Sequence, residues 1–335
     1  MSGETPTAWW HDSGIPSEID VSLEQGAVGV TTNPVLTYRA LTAEKISWQK
    51  EIQEILQGME GSDRAIALTG IVVKKAAALL SHVNERSQGR SGYVCSQVNP
   101  ATAGDREAML GMAKTMSTFG ENVAIKLPAT AAGLDVMEEC VVNGMHTTIT
   151  VSFTLPQVLA IAERYQKAKG KAEATGKKPG RCFAVVMIGR LDDYLRDVAL
   201  DMNAKVEEGD IKTAGLAVVK RAYSIYRKEG YDTELIIAAM RGAYHITDLV
   251  GSKMILSIHP KYQDPKLFEN APKEELIDKP VDQKSIERLS AIPEFIRAYE
   301  PTGMQPDEFL SYGATQRTLC QFSEIGWKLL EGFEL

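Results

Sequence analysis

Eight short apolar stretches recur along this 335-residue chain, with longer segments of helical periodicity between most of them. Residues 8–12, 27–32, 92–98, 123–128, 147–153, 182–188, 235–240 and 254–259 read as strands. Residues 16–25, 105–119, 132–143, 155–168 and 210–229 read as helices, the first opened by Ser13 and Pro16. Repeated strand–helix units force parallel pairing through right-handed crossovers. Eight units predict an α/β fold closed into a (β/α)8 barrel of the TIM type, not an open doubly wound sheet. No Gly-x-Gly-x-x-Gly follows the first strand and no Walker-type loop occurs, which counts against nucleotide binding. Residues 1–262 are expected to form the barrel, and 263–335 a C-terminal helical extension packed on the same domain. That extension ends in a helical pattern over 314–330, where Leu319, Phe322, Ile325, Trp327 and Leu330 give a broad apolar face suited to the body of the barrel or to a second copy in a homodimer. The lysine-rich stretch 167–178 reads as a solvated loop.

Within the fourth strand, Val123, Ile125 and Leu127 share one face, and Ala124, Lys126 and Pro128 the other. A single lysine beside a small alanine suggests an amine confined in a narrow space. Confinement strips its hydration and favours the neutral, nucleophilic form. The competing reading is a strand-end lysine whose amine snorkels to solvent.

In a barrel of this kind, chemistry gathers at the C-terminal ends of the strands. Polar residues collect there: His11-Asp12, Thr31-Thr32-Asn33-Pro34, Ser96-Gln97-Val98-Asn99, Lys126, Thr148 to Ser152, Gly189-Arg190 and Met240-Arg241. Each has an ordinary explanation. Asp12 could cap the next helix, Asn33-Pro34 could be a turn, Arg190 could pair with Asp192 or Asp193, and Arg241 could be a surface charge. Together, a lysine, a carboxylate, two amides, hydroxyls and two arginines suit Schiff-base chemistry on a phosphorylated sugar.

Composition narrows the field. A net charge of −7 argues against nucleic acid or an anionic membrane surface as the main partner. The cysteines, Cys95, Cys140, Cys182 and Cys320, are scattered without a Cys-x-x-Cys pair, so neither a zinc site nor a disulfide framework is expected. No histidine–carboxylate spacing suggests a metal, and no cofactor is expected. Neither a secretory signal nor an apolar run of about 18 residues is read, so a soluble cytoplasmic protein is expected.

Three motifs carry a family resemblance: Gly-Val-Thr-Thr-Asn-Pro-Val-Leu at 29–36, Ala-Ile-Lys-Leu-Pro-Ala-Thr at 124–130 and Thr-Ile-Thr-Val-Ser-Phe at 148–153. From about residue 8 to about residue 260 the chain resembles the transaldolase family, which includes the fructose 6-phosphate aldolases. The resemblance implies a (β/α)8 barrel with the imine-forming lysine on strand 4, where Lys126 falls. It implies Asp12 as the base for the hydroxyl proton, and Asn33, with Thr31 nearby, as contacts to the three-carbon fragment. It further implies Thr148 as the residue placing a water, and Arg190 and Arg241 as the phosphate site.

Departures accompany it. Gln97 stands where transaldolases carry a water-activating glutamate, as in the fructose 6-phosphate aldolases. Val185-Val186-Met187 replaces a Ser-Pro-Phe or Ala-Pro-Tyr sequence, Ala239 replaces a phosphate-site serine, and His146 stands where asparagine is expected. The resulting expectation is a transaldolase-like enzyme passing a three-carbon ketol unit from a sugar phosphate or related ketose to an aldehyde. An aldolase with a non-standard donor, such as a hydroxyacetone unit, is the nearest alternative. A non-catalytic sugar-phosphate-binding barrel and a phosphosugar isomerase are the others.

Overall fold

The computed structural model describes residues 5–269, 271–272 and 274–335, so the first residues considered for a secretory signal lie outside the described residues. Eight parallel strands close into one barrel in sequence order: β1 Ala8–His11, β2 Gly29–Val30, β3 Tyr93–Gln97, β4 Val123–Pro128, β5 His146–Thr150, β6 Cys182–Met187, β7 Glu234–Ala238 and β8 Ile255–Ile258. β8 returns to β1 with Ala8 opposite Ile255 and His11 opposite Ile258, which completes the ring. The expected (β/α)8 architecture is therefore the one observed, with the site-bearing strand ends on a single rim.

Side chains from alternate strand positions fill the barrel. Near its N-terminal end, Trp10 packs edge-on against Phe183 at 5.0 Å, and Tyr93 lies 5.4 Å from the same ring. Aromatic pairs of this geometry contribute about 0.5–1.5 kcal/mol beyond area burial. β2 passes close to this plug only because residue 29 is glycine: a Cβ there would sit 2.4 Å from the Trp10 ring. His146 belongs to this layer, 4.9 Å from Tyr93, and its Nδ1 accepts from the Arg181 amide. It starts β5 and lies off the cavity described below, so its departure from the family pattern does not remodel that cavity.

Most strands stop earlier than their apolar runs predict, and two of them end at a left-handed turn. β5 ends before Val151 (φ 54°) and β7 before Ala239 (φ 59°), both in the left-handed region. Such a conformation is an outlier for a β-branched residue and costs on the order of 1–3 kcal/mol. Around Val151 the fully buried Gln157 compensates, accepting from the Phe153 amide and donating to the Ala129 and Val151 carbonyls.

Helices at Pro34–Ala43, Lys45–Gly58 and Ile188–Asp201 add to those expected, and three expectations change. The stretch 167–178 is mostly helix: Leu155–Ala174 runs through it with Ala168 and Ala172 buried, and the chain turns only at Gly176 (φ 71°). Its lysines face outward toward acidic neighbours, Lys169 on Asp232 and Lys171 on Glu138. Ser13 does not open the first helix; Ile15 occupies the N-cap of Pro16–Glu24 without a side-chain bond. Gly61–Arg86 is long and apolar enough, by length and composition, to cross a membrane, contrary to the expectation that no such run exists. One face of it is nonetheless packed on the barrel, with Val72 against Gly14 and Asn84 against Gly92.

The C-terminal segment lies against the barrel. Arg288 reaches Asp210 with two bonds of 2.6 and 2.7 Å. The expected 314–330 helix is Gly313–Phe322, a π-turn at Ser323–Trp327 and Lys328–Glu331. The π-turn rotates its face: Leu319, Phe322, Trp327 and Leu330 are buried, whereas Ile325 points to solvent.

Candidate active site

The strand ends enclose a cavity of about 170 Å³. Six of the eight expected site residues line it: Asp12, Thr31, Asn33, Lys126, Arg190 and Arg241. The strand register explains the convergence. Lys126 is on the inner face of β4 two positions above Ala124. Ser257 and His259, which also line the cavity, continue the inner face of β8 beside Asp12.

Lys126 is 6% exposed, which excludes the snorkelling alternative, and its Nζ donates to the Thr32 carbonyl at 2.9 Å. The amine is thus held across the barrel at the end of β2. Cys95 lies on the same face of β3, but burial pushes its thiol up and it contacts Thr148 Oγ1 at 3.5 Å, so it is not a competing nucleophile.

Asp12 is not a helix cap. Its Oδ1 accepts from the Thr31 hydroxyl at 2.7 Å, and Thr31 Oγ1 lies 2.6 Å from Ser257 Oγ. Its other oxygen makes no hydrogen bond among the described residues. Asn33 does cap a helix: its Oδ1 accepts from the Val35 and Leu36 amides at 2.9 and 3.0 Å. This fixes the side chain of a residue that lines the cavity and leaves its amide NH2, a donor, outside the cap bonds.

Gln97 and Thr148 flank Lys126 in register on β3 and β5, yet neither lines the cavity. Both are buried, and Gln97 Oε1 has no partner among the described residues. Thr150, two residues further along β5, reaches the cavity instead.

At the mouth, Arg190 lies over the Phe322 ring at 5.1 Å and donates to Gln321 Oε1. Burial, and then the nearby Arg241, lower its pKa to about 10, so it stays cationic at neutral pH. It does not pair with Asp192 or Asp193. Arg241 does, with Nη2 2.6 Å from Asp193, and Nη1 bonds the Ala239 carbonyl at 2.7 Å. Four basic side chains, Lys126, Arg190, Arg241 and Lys261, face a single carboxylate among the lining residues. The site is therefore locally positive in an acidic chain and suited to an anion. Val185, Met187, Ile236, Ala238 and Phe322 make its remaining wall apolar.

Sequence reasoning missed Phe322, Gln321, Ser257, His259 and Lys261. His259 and Ser257 carried a usable signal, since they sit two apart on the expected eighth strand. Phe322 and Gln321 arrive from the tail and carried none.

Comparison with known proteins gives a consistent result. The chain matches the family described as transaldolase/fructose-6-phosphate aldolase over residues 9–311. It is 30% identical over 210 residues to the transaldolase of Kocuria rhizophila, covering 61% of this chain and 56% of that one. It is 28% identical over 216 residues to the transaldolase of an Arthrobacter species, covering 63% and 58%. With the transaldolase of Neisseria meningitidis serogroup C it shares 26% over 257 residues, covering 76% and 71%. The chain spans less than two thirds of the length of the first two relatives.

Proposed function

The chain belongs to the transaldolase/fructose-6-phosphate aldolase family, and from that premise we propose that it moves a three-carbon ketol unit between aldehydes through an imine on Lys126. One observation carries the proposal: a buried lysine amine, tethered by Thr32 O, lines a cavity that also holds a carboxylate and a cationic mouth.

Lys126 Nζ attacks the ketose carbonyl, and loss of water leaves a protonated imine. Asp12 accepts the proton of the hydroxyl on the far carbon of the bond to be cleaved, the carbon that becomes the leaving aldehyde's carbonyl. That bond breaks, an aldehyde leaves, and its electron pair is held as an enamine conjugated to nitrogen. Thr31, itself bonded to Ser257, aims the Asp12 carboxylate. Asn33 presents its amide to the hydroxyls of the retained fragment. Arg190, Arg241 and Lys261 take the phosphate at the mouth. A cavity of about 170 Å³ is below the roughly 300 Å³ of a typical small-molecule site, which suits a short fragment on Lys126 with its anionic end outside. The apolar Val185 and Met187 favour donors with fewer hydroxyls on that side.

A second reading is release of the fragment, as in an aldolase. Gln97 favours it, because the fructose 6-phosphate aldolases carry glutamine where transaldolases carry a water-activating glutamate, and the proton for the enamine would then come from a water held by Thr148. The test is borohydride trapping with a panel of ketose phosphates, with and without an acceptor aldehyde, read as a mass shift on Lys126. Trapping with acceptor-dependent product supports transfer, and trapping with acceptor-independent cleavage supports the aldolase. Absence of any adduct rejects imine catalysis and leaves a binding barrel.

A further inference from the structure

Outside the cavity lining, Asp192 and His245 face each other at 3.0 Å with both side chains fully buried. The facing atoms, Asp192 Oδ2 and His245 Nε2, approach to that distance without hydrogen-bond geometry, and neither has a hydrogen-bond partner among the described residues. Asp192 belongs to the helix Ile188–Asp201, two residues after Arg190, and its Oδ1 accepts from the Gly215 amide at 2.8 Å. His245 is on the short helix Tyr244–Thr247 after β7, and its Nδ1 accepts from the Arg241 amide at 3.1 Å. That bond requires an unprotonated Nδ1, so the ring proton is on Nε2, toward Asp192.

Little room exists for this unit to shift. A Cβ at Gly189 would lie 2.5 Å from the Ala239 carbonyl and from Arg241 Cγ, and one at Gly215 would lie 2.6 Å from the Ile188 carbonyl. Burial pushes the Asp192 carboxyl up, opposed by His245 and the Gly215 amide. A buried carboxylate and imidazole are costly to retain for packing alone.

We propose that Asp192 and His245 are positioning residues for anion binding: through the Arg241 amide they set the backbone from which this arginine reaches the cavity mouth. The inference rests on the reading of Arg190 and Arg241 as the anion clamp, and the experiment separates the two.

The probe is inorganic phosphate, titrated calorimetrically into the full chain. His245→Asn keeps an acceptor where Nδ1 was and loses the N–H that faces Asp192; His245→Gln keeps an N–H there and loses the acceptor. Phosphate affinity is expected to fall about tenfold in His245→Gln, the size of one lost hydrogen bond, and to stay within about threefold in His245→Asn. Thermal stability is expected to fall further in His245→Asn. A purely structural pair would move affinity and stability together, and that result overturns the inference. If Arg241→Ala, or wild-type protein, shows no arginine-dependent phosphate binding, the clamp reading fails. If Arg241→Ala weakens binding while both His245 variants match wild type, the clamp stands and the positioning role falls. Should His245→Gln not fold, His245→Leu replaces it, removing the same acceptor from the Arg241 amide, with the same loss expected, and unchanged affinity there overturns the inference equally.

Discussion

Thr31→Val tests the base assignment where it is most exposed to error. The substitution keeps the shape of a buried side chain and removes a hydroxyl that donates to Asp12 at 2.7 Å and lies 2.6 Å from Ser257. A hydrogen bond to a charged acceptor contributes roughly 1.5–3 kcal/mol. At about 1.4 kcal/mol per decade, turnover should fall roughly 10- to 100-fold if that bond aims the carboxylate as the C–C bond breaks. Imine formation precedes the step in which Asp12 acts, so the rate of borohydride trapping at Lys126 should change less than about twofold. Asp12→Asn should show the same pattern with a larger loss, on the order of 10²- to 10⁴-fold. In the Asp12→Asn background the threonine has no base left to aim, so Thr31→Val should cost nothing further in turnover. Full turnover in Thr31→Val, parallel losses in trapping and turnover, or additive losses in the double variant would each refute the reasoning.

Lys126→Ala should abolish turnover and adduct formation while leaving the circular dichroism spectrum and melting profile of the wild type; residual turnover would exclude the imine. Gly189→Ala places a Cβ 2.5 Å from the Ala239 carbonyl and Arg241 Cγ. It should cost about 1–3 kcal/mol in urea denaturation, and a loss below about 0.5 kcal/mol would mean that the packing there is loose. Burial lowers the pKa of His11 from 6.5 to about 4, and burial followed by Arg181 does the same for His146. Between those values the unfolded chain takes up protons that the native chain refuses, so stability falls as pH drops from 6.5 toward 4. At pH 5 the loss should reach up to about 2 kcal/mol for each histidine, and a urea midpoint unchanged between pH 7 and 4.5 would contradict it.

What could be read from the sequence was what the chain encodes over a few residues. Period-two alternation placed Lys126 on the inner face of β4, and the same alternation would have placed Ser257 and His259 beside Asp12 had β8 been read for its inner face. Strand ends were less legible, because Val151 and Ala239 adopt left-handed conformations that their side chains disfavour. Only the surrounding packing, Gln157 in one case and Gly189 with Arg241 in the other, makes those conformations tenable. The helix through 167–174 was misread because its lysines and glycine resemble a loop in composition, while its buried alanines carry the pattern that decides. Contacts between distant segments left no local trace at all. Gln321 and Phe322 meet Arg190 from 131 and 132 positions away, and Asp192 meets His245 across 53. The division follows the chemistry. Lys126 sits on a strand and Asp12 directly follows one, where periodicity reports orientation. The cationic mouth is bordered by a tail, a strained turn and the buried Asp192–His245 contact, whose geometry exists only once the barrel has closed. Lys126 and Asp12 were therefore legible before the structure, as were Arg190 and Arg241 through the family resemblance, but what holds those arginines was not. Residues 189, 192, 245, 321 and 322 are where substitutions should alter which substrate is accepted without altering how its bond is broken.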